Sequence, residues 1–161
     1  MLTESEQGLV DQIECMIKIT TDRQKKYYQQ MLNDLKIVKC VPLEQVFSPA
    51  DILVIKNEIK PKKKQCYKNA YELAKLFGER GVKYVEGKSC VLGIIFDHAF
   101  NKIDDKYFDI TRELSLKEEA KEYPYASLGE YDDNTALSIM SKNGVYGEVY
   151  NTLLIDKIFN K

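Results

Sequence analysis

The sequence predicts an α+β fold in which one helix packs on a small antiparallel sheet, with flanking helices before and after it. Three observations predict it. Apolar residues recur at helical spacing in the first sixty positions and again from Cys66. Short runs rich in β-branched and aromatic residues occupy 82–111. Beyond Thr111 the texture is helical again.

Leu9, Ile13, Met16 and Ile17 form the apolar stripe of a helix over 5–19. Thr21 or Asp22 can cap a second helix with the stripe Tyr27, Tyr28, Met31, Leu32 and Leu35, so 5–35 reads as a helical hairpin. Pro42 interrupts an ambiguous stretch over 37–47. Ser48-Pro49-Ala50-Asp51 has the order of an N-cap followed by proline at the first helical position, which starts a short helix ending near Ile59. The clearest helix spans 66–79. Cys66, Ala70, Leu73, Ala74 and Phe77 share one face of it, and Gly78 and Gly81 bracket its end. Four strands are expected at 82–86, 89–96, 98–103 and 106–111, the last two joined by a turn at Asp104-Asp105. Helices over 116–122, 134–142 and 146–159 complete the chain, with Asn143-Gly144 stopping the second. No repeat or linker divides the sequence, so 1–161 is expected to be one domain. Its parts are a helical 1–60, a central helix and strands over 61–111, and C-terminal helices over 112–161.

Composition narrows the function classes. Hydrophobic residues make up 44% and charged residues 30% of the 161, which suits a folded globular domain. Lys+Arg number 24 against 25 Asp+Glu, so no global field recruits nucleic acid or anionic lipid. Cys15, Cys40, Cys66 and Cys90 form no C-x-x-C pair, which removes zinc-ribbon and redox motifs. With a single histidine, one chain cannot build a two-histidine zinc site. No metal or other cofactor is expected. The opening residues have neither a basic nor an apolar signal region, and the longest apolar run, 91–96, is far short of a bilayer span. A cytoplasmic protein with free thiols and no membrane partner is expected.

Cys66 stands on the first turn of its helix, where the helix dipole stabilises a thiolate, and the preceding Lys60-Pro61-Lys62-Lys63-Lys64 run acts in the same direction. Cysteines in such settings fall from a pKa of ~8.5 to ~3.5–7.5. Taken alone, Cys66 reads more readily as an inert, small core residue. His98 and Asp109 change that reading. With a two-residue turn at Asp104-Asp105, Ile103 faces Lys106, Phe100 faces Asp109 and His98 faces Thr111. His98 and Asp109 then become diagonal neighbours on one sheet face. Phe96 and Phe100 share that face, which makes it a natural one for the Cys66 helix to cover. Nucleophile, base and orienting carboxylate are thereby available as Cys66, His98 and Asp109.

Cys66-Tyr67-x-x-Ala70, the glycine-flanked strand Gly81-Val82-Lys83-Tyr84-Val85-Glu86-Gly87, His98-Ala99-Phe100 and Tyr107-Phe108-Asp109-Ile110-Thr111 together resemble the transglutaminase-like core. That family belongs to the wider papain-like cysteine protease fold. The resemblance covers 66–111. It implies a papain-like core and assigns the nucleophile, base and orienting roles to Cys66, His98 and Asp109. The family includes crosslinking enzymes, proteases, amidases, deglycosylating enzymes and inactive members, so the resemblance leaves the acyl group open. For the oxyanion, the backbone N–H of Cys66 is the natural first donor, and the Gln65 side-chain amide is a second candidate. Asn69, one turn on, reads as a helix-surface residue.

The expected function is a cysteine-dependent hydrolase (protease or amidase) or acyltransferase acting on an amide or related acyl bond through a thioester. Hydrolysis is preferred, because no feature marks a reserved amine site. The expected partner is a protein or peptide substrate, or another amide-bearing acyl donor. The alternative is a catalytically inactive transglutaminase-like protein that binds a protein partner through the 5–35 hairpin. A nucleic-acid accessory role for the lysine run ranks third, since a solvated basic loop explains it. Tyr123-Pro124-Tyr125 and Tyr131 read as a loop between helices. Cys15 and Cys90 read as buried thiols.

Overall fold

The computed structural model describes residues 1–160. It opens with α1 (Glu4–Ile19) and α2 (Asp22–Asp34). Thr3 starts α1 with a capping box: its hydroxyl accepts the Glu6 N–H while the Glu6 carboxylate accepts the Thr3 N–H. The two helices form the expected hairpin, with Ile13 and Met31 packed against the C-terminal helix residues Tyr150 and Leu154. A short strand, β1 (Lys36–Val38), follows. The Ser48–Asp51 capping box and Pro49 then start α3 (Pro49–Glu58).

The central helix α4 runs Cys66–Phe77, tightens into a 3-10 turn over Gly78–Arg80, and ends at Gly81 with φ 89°. Two long strands succeed it, β2 (Lys83–Val91) and β3 (Ile94–Ile103), then β4 (Lys106–Phe108). A π-type turn over Thr111–Leu116 and a 3-10 turn over Ala120–Glu122 lead to β5 (Tyr125–Tyr131), α5 (Asp133–Asn143) and α6 (Val149–Phe159). The sheet is five-stranded in the order β1-β5-β2-β3-β4, with every neighbouring pair antiparallel.

The α+β class is as expected, but several elements depart from the sequence reading. The strands expected at 89–96 and 98–103 are cut differently. The chain turns at Leu92-Gly93, both at positive φ (50° and 79°), inside the apolar run read as strand interior. Such a two-residue turn matches the twist of the strands it joins. The chain also stays paired through Gly87, where a bulge against β5 absorbs the irregularity. Second, 125–131 is a strand lying between β1 and β2, not a loop, because Pro124 ends the preceding turn and Tyr125, Ala126 and Ser127 are buried in the sheet. The region 112–161 is therefore not purely helical. Third, no regular α-helix spans 116–122; the π-type turn ends at Leu116 and Lys117 takes positive φ. The last helix starts at Val149 rather than 146, after Gly147 and Glu148 at positive φ.

The sheet curls. Beyond β1, Cys40 bridges to Tyr107 of β4, and the Val41 N–H donates to the Tyr107 carbonyl at 2.8 Å, so the two outer strands meet. Val38, Cys40, Val85, Phe100, Tyr107 and Tyr125 fill the concave side. α4 covers the opposite face, packing Ala70, Tyr71 and Ala74 on Tyr84 and Ala99, and Leu73 and Phe77 on Val82, Phe108 and Ile110. The expectation that α4 covers the His98–Phe100 face is thus corrected: the curl of the sheet itself buries that face.

Candidate functional site

The expected hairpin register forms over three residue pairs, but β4 ends at Phe108 and not at Thr111, so the expected Phe100–Asp109 and His98–Thr111 pairs lie beyond the ladder. Ile103 pairs with Lys106, Lys102 with Tyr107 and Asn101 with Phe108 across the Asp104-Asp105 turn, where Asp104 takes φ 52°. Continued one residue past β4, this register puts Asp109 on the concave face beside Phe100, diagonal to His98. The His98 Nε2 and Asp109 Oδ2 atoms lie 2.6 Å apart. Both residues are buried, at 6% and 1% exposure, which makes this a desolvated pair and not a surface contact.

Asp109 is held on both oxygens. Oδ1 accepts the Arg112 backbone N–H at 3.1 Å, and Oδ2 accepts the Tyr125 hydroxyl at 2.7 Å as well as the imidazole. Burial opposes ionisation of this carboxyl, but the charge and hydrogen bond of His98, then the Tyr125 and Arg112 donors, outweigh it and hold its pKa below the ordinary carboxylate value. The imidazole shows the complementary balance. Burial would lower its pKa, yet the Asp109 charge and hydrogen bond, followed by hydrogen bonding and charge from Cys66, raise it well above the ordinary value.

Cys66 is the first residue of α4 and is half-buried. The first intrahelical bond runs from the Asn69 N–H to the Gln65 carbonyl, so the amides of Cys66, Tyr67 and Lys68 precede the helical ladder. Gln65 occupies the cap position with its side chain exposed and making no capping hydrogen bond. Asn69 is not the surface residue expected from the sequence: it is 2% exposed and ties three segments together. Its amide nitrogen donates to the Lys62 carbonyl and to the Thr111 hydroxyl, each at 2.9 Å, and its oxygen accepts the Lys62 N–H. One side chain thus fixes the Cys66 turn against the segment that follows Asp109.

Two residues at the site escaped sequence reasoning. The sequence reads Tyr125 as part of a loop, and Arg112 carries no motif. Arg112 is 2% exposed. Its Nε donates to the Tyr125 hydroxyl at 2.8 Å, its outer nitrogens reach Glu118 and Ser89, and its guanidinium lies 3.8 Å from the Tyr123 ring centre. The available signal was the Asp109-x-x-Arg112 spacing, which puts an acid and a base one turn apart.

Around the site, Tyr67 and Asp97, the chain neighbours of Cys66 and His98, line a cavity of about 160 Å³ with Glu86, Gly87 and Glu148. Lys62, Lys63 and Lys64 are exposed, in keeping with a solvated loop. All four cysteines are free; Cys40 and Cys90 are buried, but Cys15 is exposed, contrary to expectation, because it faces away from the α1 stripe of Leu9 and Ile13. Among the described residues, no group of three or more His, Cys, Asp or Glu side chains is placed to hold a metal ion. None of the described helices is long and apolar enough to cross a membrane. Compared with known proteins, the chain matches no family model, no curated protein and no solved structure.

Proposed function

We propose that the chain is a cysteine-dependent acyl-transfer enzyme with a papain-like, transglutaminase-like core, using Cys66 as nucleophile, His98 as proton carrier and Asp109 as the group that orients His98. The observation that carries this reading is the buried 2.6 Å His98–Asp109 contact, with Cys66 opening α4. With Nε2 engaged by Asp109, Nδ1 is the nitrogen left for the sulfur and the substrate. A raised imidazole pKa favours the imidazolium, which can supply a proton to a leaving group.

In the proposed reaction the Cys66 thiolate attacks the carbonyl carbon of an amide. The amide C–N bond breaks, the leaving nitrogen takes a proton from His98, and the acyl group remains on Cys66 as a thioester. Water, deprotonated by His98, then attacks the thioester carbon, breaking the C–S bond and releasing the acid. An amine in place of water would give a new amide. The Cys66 backbone N–H is the first oxyanion donor. The exposed, unbonded Gln65 amide is free to serve as a second when substrate is present. Hydrolysis is the preferred outcome, with a protein, peptide or other amide-bearing compound as acyl donor.

The test is acyl trapping. Incubation with an activated acyl ester, followed by intact mass and peptide mapping, should show one acyl group on Cys66 that hydroxylamine removes. His98→Ala should suppress it. Acylation spread over several cysteines, or confined to Cys15, would overturn the reading and leave a binding role for the 5–35 hairpin.

A further inference from the structure

Four groups form a continuous hydrogen-bonded line: Arg112 Nε to Tyr125 hydroxyl at 2.8 Å, Tyr125 hydroxyl to Asp109 Oδ2 at 2.7 Å, and Asp109 Oδ2 to His98 Nε2 at 2.6 Å. The direction of all but one of the hydrogens in it is determined by one end. Arg112 has donors only and keeps its proton at any pH a folded protein meets. The Tyr125 oxygen must therefore accept from Arg112, and its own proton can reach only the remaining neighbour, Oδ2. Oδ2 thus receives one donor from Tyr125, and the proton between Oδ2 and Nε2 is the only one whose position is open.

We infer that Arg112 and Tyr125 are positioning residues that keep this shared proton on His98 rather than on Asp109. The inference rests on the proposed role of His98 as the thiolate's partner. Transfer of the proton from Nε2 to Oδ2 would convert a carboxylate–imidazolium pair into a neutral acid and a neutral imidazole, with no net change in protons bound. A buried pair is drawn towards that neutral form by desolvation. The Tyr125 donor, the Arg112 backbone N–H on Oδ1, and the guanidinium 3.8 Å from Oδ2 all act against it, because each stabilises the ionised carboxylate more than the neutral acid. Burial strengthens the effect: Tyr125 is 0% exposed and Arg112 2%, so water does not substitute for either. Glu118, Ser89 and the Tyr123 ring hold the guanidinium from its outer side.

The chain's single histidine makes the test direct, since one imidazole gives one set of ring ¹⁵N signals. In the full-length protein near neutral pH, both ring nitrogens should show protonated shifts. In Tyr125→Phe, which removes one oxygen and no volume, Nε2 should move towards the unprotonated range, and Cys66 alkylation should slow about tenfold, the scale of one hydrogen bond to a charged group. Arg112→Met should do the same, and Arg112→Lys should restore both readouts part-way. Unchanged ring shifts in a folded Tyr125→Phe protein would overturn the inference, even if its stability fell. The two readings fail separately. If Cys66 in the unaltered chain is not preferentially alkylated, the thiol chemistry is wrong, while the ¹⁵N shifts still decide where the proton sits.

Discussion

His98 and Asp109, eleven residues apart in the chain, meet at 2.6 Å on the concave face of a curled sheet, because a two-residue turn sets their strands in register. The contact is local in sequence, yet it is buried by residues from β1, β2 and β5. It therefore reports on the whole sheet as well as on one hairpin.

Asp109→Asn removes the charge that the imidazolium faces while leaving the side chain's shape. Breaking one partner of a buried pair typically destabilises by about 3–5 kcal/mol. Urea denaturation should show a loss in that range, and Cys66 alkylation should fall with it. A stability unchanged within about 0.5 kcal/mol would show that the pair is not ionised in the folded protein.

Stability should also depend on pH from both sides of this pair. The His98 pKa is raised on folding, so its contribution is complete below the unfolded value of ~6.5 and is lost as pH rises through the raised folded value. The Asp109 pKa is lowered on folding, so its contribution is complete above ~3.9 and is lost as pH falls through the depressed folded value. Denaturation free energies measured across pH should be flat between these limits and decline beyond each. His98→Ala should flatten the alkaline decline; identical profiles for the two proteins would contradict the assignment.

The sequence made some of this legible for definite reasons. Helix starts were readable where capping chemistry is local, as at Ser48-Pro49 and at Cys66 with its buried stripe. The His98–Asp109 contact followed from turn length and strand parity alone. What escaped were features decided across the fold. β5 was missed because only Tyr125, Ala126 and Ser127 are buried in a seven-residue strand, and a Pro-led, Tyr-rich segment looks the same in a loop. The curl was not visible either, since it depends on Cys40 meeting Tyr107. Without the curl, the apolar Phe100 face needs a helix to cover it. Asn69 was misjudged for the same reason: its partners lie at Lys62 and Thr111, and only packing brings them together.

Gly87 sits at the bulge opposite His98, and a Cβ there would lie 1.8 Å from the Ala126 carbonyl oxygen. Main chain cannot yield as a flexible side chain would. Gly87→Ala should therefore destabilise by about 3 kcal/mol or more, by forcing β2 and β5 apart. A thermal melt close to that of the unaltered chain would show that the bulge can relax.

Asn69→Ala removes the tether between the Lys62 loop, the Cys66 turn and Thr111. A loss of about 1–3 kcal/mol is expected from the buried partners left unbonded. Cys66 alkylation should slow more than that loss of stability alone explains, because the turn is no longer fixed against Asp109. Equal rates in a folded Asn69→Ala protein would assign the residue to stability only.

Competitive alkylation of the four cysteines near pH ~6.5 tests whether Cys66 is the nucleophile and His98 its proton carrier. An unperturbed thiol is only about 1% ionised there. The exposed Cys15 supplies the reference within the same molecule, while Cys40 and Cys90 are shielded by burial, which also pushes the Cys40 thiol up. The account predicts that half-buried Cys66 reacts with iodoacetamide at least about tenfold faster than Cys15, and that His98→Ala removes the difference. Faster reaction at Cys15 than at Cys66, or a Cys66 rate indifferent to His98→Ala, would contradict it.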